Sequence, residues 1–113
     1  KKENLALVKE GMKEACEEKG TASVFVGFEP QVACKTGTAE IGPSTSSGPT
    51  SSGPRSSDQS QTHAWFTVFA PVDSPAGEPE IAVTVLLEKA GEGSKVAAPI
   101  AKELLKYWFE KKK

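Results

Sequence analysis

From Gly42 to Gln61 the chain carries no apolar side chain other than proline, and residues 45–49 and 50–54 both read TSSGP. A Gly/Ser/Thr/Pro tract cannot bury enough apolar surface to offset its ordering entropy, so it reads as a flexible linker rather than as core. Whatever folds must therefore be built from the two flanks, and the sequence reads as one domain, 1–113, with a low-complexity loop at 42–61. The tandem pentapeptide leaves two readings open: a natural low-complexity insertion, or an engineered replacement of a native loop.

The flanks are patterned. Residues 3–18, ENLALVKEGMKEACEE, predict an amphipathic helix with Leu5, Val8, Met12, Ala15 and Cys16 on one face and Gly20 as its stop. Residues 21–30 predict a short extended piece and then a turn, with Gly27 and Pro30 as punctuation. Residues 31–39 predict the first strand. Beyond the linker, 63–71 (HAWFTVFAP) predicts a second strand, 71–79 a hairpin-like connection, and 80–88 (EIAVTVLLE) a third strand. That third strand is apolar on both sides, with Ile81, Val83, Val85 and Leu87 opposite Ala82, Thr84 and Leu86, the pattern of a central or doubly covered strand.

Residues 95–110 predict a second helix with Ala97, Ile100, Ala101, Leu104 and Trp108 on one face. Ser94 is its candidate N-cap, and Pro99 is tolerable near the first turn while delaying the helix start. The spacing of Trp65, Phe66, Phe69, Tyr107, Trp108 and Phe109 suits core packing. The order predicts an α+β fold, an antiparallel sheet of about three strands packed by an N-terminal and a C-terminal helix.

Several functions are disfavoured at this level. The formal net charge is −1, so no basic excess exists to displace phosphate counterions, and nucleic-acid binding is not expected. The lysine runs sit at the termini, where they read as solvated ends. No apolar run approaches the ~20 residues of a membrane span. No initiator Met or signal peptide is visible, which is how a mature product or an excised piece looks. The two cysteines, Cys16 and Cys34, are too few for a disulfide framework. With one histidine and no CxxC, neither a metal site nor a cofactor is expected. His63 reads as an exposed histidine at a strand edge.

The chemistry-bearing stretch is KTGT, Lys35 to Thr38, inside the first strand. A structural strand favours β-branched and aromatic residues there, and a strand glycine often marks close approach by a ligand or another backbone. Strand alternation sends Lys35 and Gly37 one way and Thr36 and Thr38 the other. A lysine and two hydroxyls beside free backbone groups suit an anionic, peptide-like ligand that adds a strand to the edge. A solvated polar strand face is the other reading of the same four residues.

KTGTAE followed by HAWFTVFAP and then EIAVTVLLEKAGEGSKVAAPIAKELLKYWF resembles the C-terminal part of class B penicillin-binding proteins. The opening LVKEGMKEAC and the GTA at 20–22 resemble the helix and segment before the motif strand in that family. The resemblance implies a subdomain of a D,D-transpeptidase fold that cross-links peptidoglycan and is acylated by β-lactams. It carries S-x-x-K, S-x-N and K-[ST]-G motifs. Lys35, Thr36 and Gly37 match the third. By resemblance Lys35 supplies positive charge, Thr36 helps hold the substrate carboxylate, and the Thr38 N–H contributes to an oxyanion hole.

The chain departs from the family where covalent chemistry would begin. No serine has a lysine three residues on, and the only asparagine, Asn4, is in no S-x-N. The expectation is a catalytically inactive piece. Stem peptide or β-lactam would be bound by the parent domain, an extracytoplasmic protein anchored outside this segment. An exposed face where the missing half packs would favour self-association. Alternatives are an engineered scaffold or display domain with 42–61 as its permissive loop, and half of a split enzyme. Where the family usually has a small residue before KTG, this chain has Cys34. Cys34 could pair with Cys16, tying helix to sheet through a loop of roughly 19 residues worth about 3 kcal/mol in the chain-entropy model. Two buried free thiols are the other reading.

Overall fold

Strand β1 (Ala33–Glu40) runs antiparallel to β2 (Thr62–Ala70), with Cys34 opposite Val68, Thr36 opposite Phe66, Gly37 opposite Trp65 and Thr38 opposite Ala64. Strand β3 (Ile81–Leu87) pairs on the far side of β2, with Val85 opposite Phe66 and Leu86 opposite Trp65. The structure is a computed structural model, and it describes residues 1–40 and 62–112. The sheet order is β1-β2-β3, and helices α1 (Lys2–Glu14) and α2 (Ala98–Lys111) complete the α+β fold expected of the sequence. The predicted linker 42–61 lies outside the described residues. Among the described residues no helix is long and apolar enough to cross a membrane.

Directly opposed residues in an antiparallel pair share a face. Ala64, Phe66, Val68 and Ala70 of β2 are fully buried, so their face is the core face, joined there by Cys34 of β1 and Val85 of β3. Phe25, in a 3-10 turn at Ser23–Phe25, stacks on Phe66 at 5.6 Å between ring centroids and 5° between planes. Helix α2 lays Ala98, Ala101 and Leu105 on this layer, and Lys102 Nζ donates to the Val24 carbonyl at 2.6 Å, tying α2 to the 3-10 turn. The opposite face carries Lys35, Gly37, Trp65, Thr67, Thr84 and Leu86, and Trp65 and Leu86 are exposed.

Several expectations are corrected. Helix α1 ends at Glu14, not 18, and Cys16 lies in the turn beyond it. None of its residues is buried; Leu5 and Val8 are exposed, and only Met12 on the predicted face is half-buried within the helix. Residues 21–30 hold a 3-10 turn instead of an extended piece. Strand β3 is at the edge and β2 is central, so apolar residues on both sides of β3 do not mark a doubly covered strand here. Ser94 is not at an N-cap but inside a wider π-helical turn, Gly93–Ala97, that leads into α2, whose second residue is Pro99, so the helix starts late as proline placement predicted. Ile100, Leu104 and Trp108 point outward, because the small side chains Ala98 and Ala101 are the ones that let the helix approach the sheet. Of the aromatic residues expected in the core, only Phe66 is fully buried; Phe69 and Phe109 are half-buried, and Trp65, Tyr107 and Trp108 are exposed.

Cys16 and Cys34 form a disulfide with Cα atoms 6.0 Å apart and a sequence separation of 18. Both residues are buried. Replacing both with alanine is expected to lower unfolding free energy by about 3 kcal/mol, mostly by freeing the unfolded chain. Urea denaturation of the two proteins would read this; overlapping curves would remove the disulfide from the list of stabilising contacts. Helix α1 is otherwise held at the surface, where Lys13 Nζ lies 3.3 Å from Asp73 Oδ2. The Asp73 carboxylate raises the Lys13 ammonium above the usual lysine range. A raised folded-state value means this contact is fully present below the ordinary lysine value and is lost as pH climbs through the raised one.

Candidate functional site

The KTGT residues lie on β1, which pairs with β2 on one side only; among the described residues no strand lies along its other edge. An unpaired edge presents backbone N–H and C=O groups in a row, the template for an added strand. Lys35 and Gly37 belong to the outer face, while Thr36 and Thr38 belong to the core face, so the motif flanks the edge from both sides. Cys34 is on the face opposite Lys35, as alternation required.

Lys35 is exposed and its Nζ donates to the Thr36 carbonyl at 2.6 Å. Among the described residues it joins no ion pair. Its charge is therefore available to an anion arriving at the edge. The Thr36 hydroxyl donates to the Thr21 hydroxyl at 3.3 Å. Thr38 is exposed and borders an open depression with Thr62, Lys89, Gly91 and Lys95. The glycine has a specific reason. A Cβ on Gly37 would sit 3.1 Å from the Cβ of Trp65, its cross-strand partner, closer than side chains ordinarily pack. What approaches Gly37 closely is thus the Trp65 side chain on one side. On the other, Gly93 comes so near that a Cβ there would be 2.7 Å from the Gly37 carbonyl oxygen and would overlap the Trp65 carbonyl oxygen.

His63 is half-buried on the central strand rather than exposed at an edge, and its Nδ1 accepts the Lys89 N–H at 3.1 Å. That bond fixes the turn after β3, where Lys89 has a φ of 50°. Thr21 and Gly93 are site neighbours that sequence reasoning missed. Thr21 lay in the GTA segment, which was legible only as a resemblance, and Gly93 belongs to no motif in the sequence.

The strand bearing KTGT is thus an edge strand of a three-stranded sheet packed by two helices. The family described as penicillin binding protein transpeptidase domain matches residues 1–106, and the chain belongs to that family. It is 37% identical over 88 residues to the peptidoglycan D,D-transpeptidase MrdA of Haemophilus influenzae, covering 78% of this chain and 13% of that protein. It is 39% identical over 77 residues to the peptidoglycan D,D-transpeptidase PbpA of Mycolicibacterium smegmatis, covering 64% of this chain and 12% of that protein. The MrdA of Acinetobacter baumannii is 37% identical over 79 residues, covering 70% of this chain and 11% of that protein. The chain thus spans only about an eighth of the length of these relatives.

Proposed function

We propose that this chain is the motif-strand part of a peptidoglycan D,D-transpeptidase and supplies one wall of the site for a stem peptide or a β-lactam. The observation that carries this reading is the unpaired edge of β1, with Lys35 free of any acidic partner among the described residues. Lys35 attracts the ligand carboxylate, Thr36 donates to it, Gly37 keeps the strand low beside Trp65, and the Thr38 N–H faces the developing oxyanion. Peptidoglycan lies outside the cytoplasmic membrane, so the working domain is extracytoplasmic on this reading.

The chain alone does not acylate. The sequence contains neither S-x-x-K nor S-x-N, so no serine has the basic partner that activates a nucleophile in this chemistry. Electrostatic attraction without a nucleophile gives weak, reversible binding. A stable scaffold derived from the same fold is the second reading, and the tandem TSSGP supports it. Intact mass before and after incubation with benzylpenicillin separates active from inactive: no added mass is expected. A stoichiometric adduct would overturn the inactive reading and point to an unrecognised nucleophile. In the same sample, amide shifts at residues 35–38 on adding a D-alanyl-D-alanine peptide are expected, and are expected to vanish in Lys35→Ala. Unmoved amides would leave the scaffold reading in place.

A further inference from the structure

We propose that Thr21 is a positioning residue for Thr36, delivered to the motif strand by the loop that the Cys16–Cys34 disulfide closes; this rests on the reading of β1 as the ligand edge. Four observations place Thr21 there. The Thr36 and Thr21 hydroxyls are 3.3 Å apart, longer than the usual O–H···O distance, so the bond is a weak one. Ala22, the next residue, is buried, and its N–H donates to the Ala15 carbonyl at 2.8 Å. Gly20, the residue before, packs so tightly on the Glu14 and Ala15 carbonyls that a Cβ there would overlap both. The disulfide joins Cys16 to Cys34, two residues before Thr36 on the same strand. Thr21 is therefore held from both neighbours and from both ends of its loop.

The chemistry follows from the hydroxyl inventory. A threonine hydroxyl has one proton to give and two lone pairs. With no ligand present, the Thr36 proton is directed at Thr21. A carboxylate at the β1 edge is a stronger acceptor, because charge-assisted bonds are shorter and about twice as strong as neutral ones. The Thr36 proton turns to the carboxylate, and the Thr21 hydroxyl rotates to donate its own proton to the Thr36 oxygen. No covalent bond changes. The pair reverses direction, Thr36 goes from one partner to two, and its rotamer is held for the ligand throughout. Without Thr21, Thr36 is free to rotate and must be ordered by the ligand itself.

The test uses the whole chain and three variants, Thr21→Val, Thr21→Ser and Lys35→Ala. Thr36 χ1 is read from three-bond NMR couplings without ligand, and binding of N-acetyl-D-alanyl-D-alanine is read from the amide shifts of residues 35–38. Thr21→Val, nearly isosteric, is expected to average the Thr36 rotamer and to weaken binding about threefold to tenfold. Thr21→Ser is expected to restore both. Urea midpoints of both variants are expected to stay near that of the unsubstituted chain, which a merely structural role would not allow. If the peptide binds, Lys35→Ala abolishes binding and Thr21→Val leaves both χ1 and affinity unchanged, the role of Thr21 is overturned while the binding edge stands. If the unsubstituted chain shows no shifts at 35–38, the binding edge itself fails and the role of Thr21 falls with it.

Discussion

Replacing Gly93 with alanine is expected to destabilise the chain by about 3 kcal/mol, the upper part of the range for forcing extra volume into a packed site. The reason is what the new methyl would meet. It would overlap the Trp65 carbonyl oxygen and come within 2.7 Å of the Gly37 carbonyl oxygen. Both are backbone atoms in the paired β1–β2 region, and neither can swing aside as the tip of a flexible side chain would. Either the π-helical turn at Gly93–Ala97 lifts from the sheet, carrying the start of α2 with it, or β1 and β2 move apart at the motif. Gly11 provides the contrast. It lies inside α1 with nothing near its would-be Cβ, so Gly11→Ala is expected to be neutral or to stabilise by up to about 1 kcal/mol. Urea denaturation of both variants checks the pair. A Gly93→Ala midpoint equal to that of the unsubstituted chain would mean the turn does not rest on the strands as described. Because Gly37 is one of the two contact points, Gly93→Ala is also expected to move the amide signals of residues 35–38.

The strands were legible because short runs rich in β-branched and aromatic residues, bounded by turn residues, are a local signal. Ala64, Phe66, Val68 and Ala70 alternate with polar or larger residues, and the structure buries those four. The helix faces were legible only in part. In α2 two adjacent stripes run at helical spacing, Ile100, Leu104 and Trp108 on one and Ala98, Ala101 and Leu105 on the next, about a quarter turn round. Hydrophobicity favours the first set, but closeness of approach decides, and two alanines allow an approach that isoleucine and tryptophan do not. For β3 the failure has another cause. Apolar residues on both faces predict cover on both faces, yet Ala82 and Leu86 are exposed on the outer face. Local pattern records how apolar each face of a strand is, and not the position the strand takes in the sheet.

At the candidate site the residues on one segment were readable and their neighbours were not. Lys35, Thr36, Gly37 and Thr38 are contiguous, so their grouping needs no tertiary knowledge. Thr21 reaches Thr36 across a disulfide-closed loop, and Gly93 reaches Gly37 after a whole hairpin and turn. Such contacts depend on sheet order and register, which place Trp65 opposite Gly37. The alternation of β1 did place Cys34 on the face away from Lys35, and Cys16 is bonded to it there. The residues thus located the motif, and the topology supplied what supports it.

Phe66→Ala is expected to have the largest effect of any single truncation, about 3–5 kcal/mol. Phe66 is fully buried at the middle of the central strand, opposite Thr36 on one side and Val85 on the other. Its ring stacks on Phe25, which in turn meets Phe28 edge-on at 5.6 Å and 71°. Removing the ring leaves a cavity in a fully buried layer, and that cavity adds to the lost transfer energy. Native domains of this size have about 5–15 kcal/mol in hand, so the variant stands near the limit of folding. A fall in Tm on the order of 15 °C or more is expected by calorimetry. Phe25→Ala should cost less, because Phe25 sits in a 3-10 turn that can settle inward. The double variant should lose less than the two single losses added together, by about 0.5–1.5 kcal/mol, the share belonging to the stacked pair. Strict additivity would mean that the rings do not interact and that the 3-10 turn is not seated on β2. A Phe66→Ala loss below about 1 kcal/mol would mean the core lies elsewhere. Thr36, which shares the face of Phe66 one strand over, would then lose the packed layer that holds it at the edge.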